Sequence, residues 1–301
     1  MMALRWSVLL ILVALISSIP LHVALADEAY QLTEGAAFDI EPSWSPDGTR
    51  IAYSSNFDIW VVPSSGGVGT RLTSDIASDG SPCWSPDSQT IVYTSYNNNN
   101  SDLRTISASG GTSTLLLGGP ADERNPAWSP DATRIAFDSN RAGIRDLWVM
   151  PAGGGALTQL TTAFQTEQEP DWSPDGTRIV YSGDPGMDIW IMPAAGGASV
   201  RVTDFPENDY HPQWSPDGSL IAFSTTHSGN FDIWVVPATG GIATRITDHF
   251  GVDTTPAWSP DGRFIVFSSD RTGNADLWVI HVGTTPVEAT TWGAIKEKFN
   301  H

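Results

Sequence analysis

The chain has a single cysteine, Cys83, in 301 residues, so it can form no internal disulfide and must draw its stability from a large core. Basic residues are scarce as well: 15 Lys and Arg stand against 34 Asp and Glu, a formal net charge of −19. A phosphate-binding surface must be basic, so this balance argues against nucleic acid and favours solubility and attraction of cations or a basic partner. Signatures of catalysis are also missing. There is no Gly-x-Ser-x-Gly elbow, and His211, His227, His249 and His281 show no metal-ligand spacing. Cys83 lies beside a core Trp with no basic residue to activate it. Long apolar runs are confined to Trp6–Ile19, which follows Arg5 and precedes Pro20 and the small-residue site Ala24-Leu25-Ala26. That is the form of a secretory signal peptide over residues 1–26, with a mature chain from about Asp27. An uncleaved anchor is the alternative, and no cysteine is placed for lipid attachment. The expected location is therefore the periplasm or the exterior, with no membrane span after cleavage.

What is abundant is repetition. Trp-Ser-Pro-Asp recurs at Trp44, Trp84, Trp128, Trp172, Trp214 and Trp258. A period of about 40–45 residues with one tryptophan signature per unit marks four-stranded propeller blades, so the sequence predicts an all-β, six-bladed β-propeller over residues 27–289. Within a unit, Ser45-Pro46-Asp47-Gly48 reads as the turn between strands a and b. The pairs Gly66-Gly67, Gly110-Gly111, Gly154-Gly155, Gly196-Gly197 and Gly240-Gly241 read as c–d hairpins that need positive φ. Strands b and c are nearly continuous β-branched and aromatic runs, as in Ile179-Val180-Tyr181 and Ile189-Trp190-Ile191, so both faces of each sheet should be covered. Blade two departs from the pattern, with Arg104 where the other blades carry Trp60, Trp148, Trp190, Trp234 and Trp278, and with Asn97–Asn100 in its b–c loop; it is expected to pack least well.

The ends predict how the ring closes. Gln31-Leu32-Thr33 precedes the first unit and matches the outer-strand sequence Arg71-Leu72-Thr73, whereas blade six lacks the Pro and Gly-Gly of the c–d signature. The N-terminal strand should supply the outer strand of blade six, with Val287–Thr291 as its rival. Residues 290–301 read as a short C-terminal helix with Trp292, Ile295 and Phe299 on one face, packed on the propeller as a cap.

The runs Trp-Ser-Pro-Asp-Gly, Arg-Ile-Ala-Tyr-Ser-Ser and Asp-Ile-Trp-Val-Val resemble the TolB-type propeller repeat, also found in the tricorn protease and prolyl oligopeptidase propellers. The resemblance covers about Gln31 to Val282. It implies a periplasmic, protein-binding platform of the kind that engages envelope lipoproteins. The chain departs from TolB itself, which carries an α/β domain ahead of its propeller, and fold alone does not confer function.

Three acidic positions recur in every unit. The turn aspartates Asp47, Asp87, Asp131, Asp175, Asp217 and Asp261 are assigned to turn structure. Asp58, Asp102, Asp146, Asp188, Asp232 and Asp276, at the head of strand c, are assigned to backbone hydrogen bonds of the b–c loop. The third set, Asp39, Asp79, Glu123, Glu167, Asp209 and Asp253, stands three residues before the proline of strand a and is expected to circle the mouth of the central channel. At a spacing of about 8 Å, neighbours would repel by about 2 kcal/mol. Water and raised pKa values, capping of loop amides, a bound Ca²⁺ or Mg²⁺, or a basic side chain of a partner could each relieve that repulsion. This ring is the candidate ligand or cation site. No cofactor is required by any motif and no catalytic residue is assigned. The expected function is that of an exported, monomeric, non-enzymatic scaffold whose acidic top face binds a protein, either an envelope lipoprotein or a basic peptide. The alternative is a metal-dependent lyase or lactonase using the channel, with His211 two residues after Asp209.

Overall fold

The computed structural model describes residues 29–162 and 165–283. The expected signal peptide, the rival closing strand and the C-terminal helix lie outside the described residues. Six four-stranded antiparallel sheets follow one another along the chain. Blade one runs Asp39–Trp44, Arg50–Ser55, Asp58–Pro63 and Thr70–Arg71 for strands a to d, and blade two runs Ser78–Trp84, Thr90–Asn97, Asn100–Ser107 and Thr114–Leu117. The inner strands touch all the way round, blade six against blade one included, so the ring is closed.

Closure uses the N-terminal strand, as the sequence predicts. Tyr30–Gln31 pairs with Asp276–His281 in register Tyr30 to Val279 and Gln31 to Trp278, and thereby fills the outer place of blade six. Leu32, 6% exposed, donates its N–H to Leu277 O at 2.7 Å and packs into the cluster shared by blades six and one.

Between blades, the tryptophan of each inner strand is the wedge. Trp84 Nε1 donates to Ser43 O at 3.0 Å and Trp172 Nε1 to Ala127 O at 3.1 Å, each reaching the preceding inner strand. Arg50, Arg134 and Arg178, heading the b strands of blades one, three and four, lay their guanidinium groups over Trp84, Trp172 and Trp214 at 4.5–4.6 Å. Such cation–π contacts add about 0.5–2 kcal/mol to the apolar burial. The a–b turns behave as their sequence suggests: Asp131 Oδ1 accepts from Ser129 Oγ at 2.6 Å and Thr133 N at 3.0 Å, and these donors hold its carboxyl at about 2. Gly66 and Gly67 of the first c–d hairpin have φ of 78° and 120°, conformations that favour glycine.

The closing strand yields a prediction. Leu32→Ala should cost about 2–4 kcal/mol in denaturant unfolding, whereas Val68→Ala, at a side chain 90% exposed, should stay within about 0.5 kcal/mol. Equal effects would mean that Leu32 contributes nothing to closure.

Candidate functional site

Each inner strand contains one extra residue relative to strand b. In blade one, Ile40 faces Ser54 and Ser43 faces Ala52, so three steps on one strand match two on the other; the same shift occurs in all six blades. The bulge places Glu41, Ser81, Asn125, Glu169, His211 and Thr255 in the left-handed region, with φ between 49° and 58°, each just ahead of a buried proline. Non-glycine residues pay roughly 1 kcal/mol for that conformation, and a following proline already bars the right-handed helical alternative. The result is that these six side chains line the central channel, a cavity of about 220 Å³ walled also by Pro42, Pro126 and Pro212.

The six carboxylates expected at the channel mouth are elsewhere. Asp39, Asp79, Glu123, Glu167, Asp209 and Asp253 are 0–5% exposed and sit between blades; Asp79 alone among them also borders the groove described below. Ordinary strand alternation puts Asp39 and Glu41 on one face, and the bulge separates them, turning the first into the blade interface and the second into the channel. Asp79 Oδ1 accepts from Ser95 Oγ of its own strand b at 2.7 Å, and its carboxyl lies beside Thr73, which ends the preceding blade and donates Oγ1 to Asp58 Oδ1 at 3.4 Å. Thr73 Oγ1 itself accepts from Ile59 N at 2.9 Å, and Thr161, Thr203, Thr247 and Thr33 repeat the contact on Leu147, Ile189, Ile233 and Leu277. Blade two has no such threonine; there Glu123 takes Arg141 Nη2 at 2.5 Å and Ser139 Oγ at 3.4 Å.

Each of these acids faces the acid at the head of the preceding strand c, which also departs from expectation: in five blades it holds a side chain of strand d instead of b–c loop amides, and Asp102 takes Asn100 Nδ2 of its b–c hairpin at 2.8 Å. Arg71, Arg201 and Arg245 contact Asp58, Asp188 and Asp232 at 2.7–2.8 Å, whereas Gln31 and Gln159 hold Asp276 and Asp146. Between blades three and four, Asp146 and Glu167 therefore share an interface without an ion pair among the described residues. Burial first, and repulsion from Asp146 second, push the Glu167 carboxyl up to about 7. Among the described residues no group of three or more His, Cys, Asp or Glu side chains is placed to hold a metal ion.

Above blades one to four the channel widens into a groove of about 640 Å³, sharing Glu41, Ser81, Asn125 and Glu169 with the channel wall. Phe57, 70% exposed, Tyr96, 43%, and Ile40, 36%, form one side. The opposite side is organised by Asp138, a fully buried carboxylate where the other blades have Ser54, Thr94, Ser182, Ser224 and Ser268. It accepts Arg145 Nη1 at 2.5 Å, Asn125 Nδ2 at 2.7 Å and Glu169 N at 3.2 Å. Arg124 reaches Asp122 at 3.2 Å and Ser101 Oγ at 3.0 Å beside it. The sequence pattern points to the channel face through His211 but misses Glu41, Glu169 and Asp138. The signal for the first two is the position just before each proline, and for Asp138 it is a carboxylate in a Ser/Thr column.

His211 Nδ1 lies 3.0 Å from Ser224 Oγ and its Nε2 is 3.5 Å from Glu169 Oε1. The three residue types match a hydrolytic triad, but Ser224 is fully buried and donates to Tyr210 O at 3.2 Å, so its oxygen has no route to a substrate.

Fold and site together define a six-bladed propeller with a polar channel opening into a groove that has one apolar and one charged side. The chain belongs to the TolB beta propeller domain family (PD40), whose model matches residues 81–203 and 186–300. A putative TolB from Agrobacterium tumefaciens is similar in structure at 21% identity and a TM-score of 0.70, over 85% of this chain and 97% of that one. TolB from Acinetobacter baumannii follows at 20% and 0.66, over 81% of this chain and 60% of that one. An oligogalacturonate lyase in complex with manganese shares the fold at 14% identity and a TM-score of 0.60, over 85% and 93% of the two chains. At these identities the structural likenesses establish the fold alone. No curated protein matches the sequence.

The Glu167 carboxyl generates a pH prediction. Its folded pKa, about 7, lies above the unfolded value of about 4.3, so the folded state binds the extra proton. Its stabilising contribution is full below the unfolded value and is lost as pH rises through 7. The melting temperature should fall between pH 5 and pH 8 (about the span of the shift), and Glu167→Gln should flatten the fall while raising stability at the upper end. An unchanged slope would assign the proton to other groups.

Proposed function

We propose that this protein is an exported, non-enzymatic binding propeller whose top face takes an extended segment of a partner protein. One observation carries the reading: the exposed large apolar side chains gather on that face. Phe38, Phe57, Ile76, Ile144, Phe250 and Val252 stand on d–a or b–c loops, Ile40 at the head of strand a and Tyr96 near the end of strand b, all at the same end of their blades, whereas Val68, Leu115, Val200 and Ile242 are scattered over the remaining surface. A rim of this kind, around a groove that is open to solvent, suits a protein segment with apolar anchors. Glu41 and Glu169 on the channel wall add negative charge, which suits a basic residue entering the channel. The resemblance to TolB-type propellers supports an envelope protein, such as a lipoprotein, as that partner. The N-terminal segment supports export, and no described helix is long and apolar enough to cross a membrane.

A metal-dependent lyase or lactonase is the weaker reading. His211 is the one histidine among the channel-lining residues, and the described residues offer no metal donor set.

Peptides selected from a random display library against the wild-type protein should lose at least about tenfold in affinity for the Phe57→Ala/Tyr96→Ala variant, about 1.4 kcal/mol or more. Both side chains are exposed, so the melting temperature should hardly change. Selected peptides that bind the variant as well as the wild type would place the ligand surface elsewhere.

A further inference from the structure

Blade two carries a feature that the top-face reading does not use. The outer strand of a blade presents unpaired N–H and C=O groups to solvent, and proteins blunt such edges by keeping them short or charged. Five of the six outer strands here are two residues long, and those of blades one, four and five also carry Arg71, Arg201 and Arg245. The outer strand of blade two, Thr114–Leu117, has four residues. No charged residue occurs between Arg104 and Asp122, and Thr114 and Leu115 are exposed, Leu115 at 53%. Exposed Gly118-Gly119 follow the strand directly and carry no side chain, and only the small residues Thr112 and Ser113 separate exposed Gly111 from its start. The departure at Arg104 accounts for the length. Arg104 pairs in register with Leu115 and donates its Nε to Ser113 Oγ at 2.9 Å, tying the outer strand down ahead of the bulge that seats Leu116 and Leu117 on the core.

We infer that this edge is a self-association site, at which the outer strand of blade two pairs antiparallel with the same strand of a second copy about a twofold axis. Two four-stranded blades thereby become one eight-stranded sheet. Charge selects the occupant: at −19 two copies repel one another, and close approach is least opposed where the surface is neutral, as it is along this edge. A basic partner would instead be drawn to the acidic surfaces. An antiparallel edge is also self-complementary, and a twofold centred on Leu115 sets the two exposed leucines side by side. Because the edge lies on the circumference of the ring, the dimer leaves both top grooves open and offers a partner two of them at once.

Sedimentation velocity of the mature protein tests this. Between about 1 and 200 µM, a range suited to a small interface, the average sedimentation coefficient should climb toward that of a dimer. Raising the salt should strengthen the association by screening the mutual repulsion. Leu115→Lys should remain monomeric throughout, while Val200→Lys, on the outer strand of blade four, should associate as the wild type does. In the wild type alone, amide hydrogen exchange over residues 112–117 should slow as concentration rises. A wild type that stays monomeric across the range, association weakened by salt, or a Leu115→Lys variant that still dimerises would each overturn the proposal. So would exchange over 112–117 that ignores concentration, as expected if the edge takes an extended peptide of another protein instead.

Discussion

The contact on which the ring depends is a hydrogen-bonded strap at each crossover between blades. A strand-c amide donates to the threonine that ends strand d, and in five of the six interfaces that threonine stands between two buried carboxylates, one on the preceding strand c and one heading the next inner strand. A hydroxyl has one proton to give, so the second carboxylate needs a serine, an arginine or a proton of its own. Arginine pairs with the strand-c acid in some interfaces, as Arg245 does with Asp232, yet beside the Arg201–Asp188 pair burial still pushes the Asp209 carboxyl up to about 6. At Gln159 no ion pair forms, and burial together with the neighbouring Asp146 pushes the Glu167 carboxyl up to about 7. One motif thus fixes the blade-to-blade geometry and makes stability depend on pH.

The second constraint is the bulge in the inner strand. It separates what alternation would have joined: the first acid turns into the blade interface and the residue two positions later turns into the channel. The strap needs the first of these and the channel the second, so the structural and binding roles fall to different side chains. This leaves Glu41, Ser81, Asn125, Glu169, His211 and Thr255 chemically varied around one ring while the carboxylates behind them stay uniform. Asp138 shows the same division in one residue's surroundings, since a single buried carboxylate sets both Asn125 on the channel wall and Arg145 in the groove.

Much of the fold is legible in the residues because each blade restates it. The Trp-Ser-Pro-Asp period, the glycine pairs and Gln31-Leu32-Thr33 are local signals, and turn chemistry and strand pairing within a hairpin depend on local sequence. The carboxylate positions are equally plain in the sequence, but their direction is not. A bulge of one residue reverses every side chain beyond it, and nothing in Asp-Ile-Glu-Pro marks the extra residue except a proline whose predecessor must leave the right-handed region.

By itself, the sequence determined the number of blades, their four strands and the strand that closes the ring, because those follow from repeated short-range patterns. Only the tertiary structure decided which acids are buried and which side chains meet in the channel and groove. Those outcomes depend on the stacking of one blade against the next, where residues about forty positions apart come into contact.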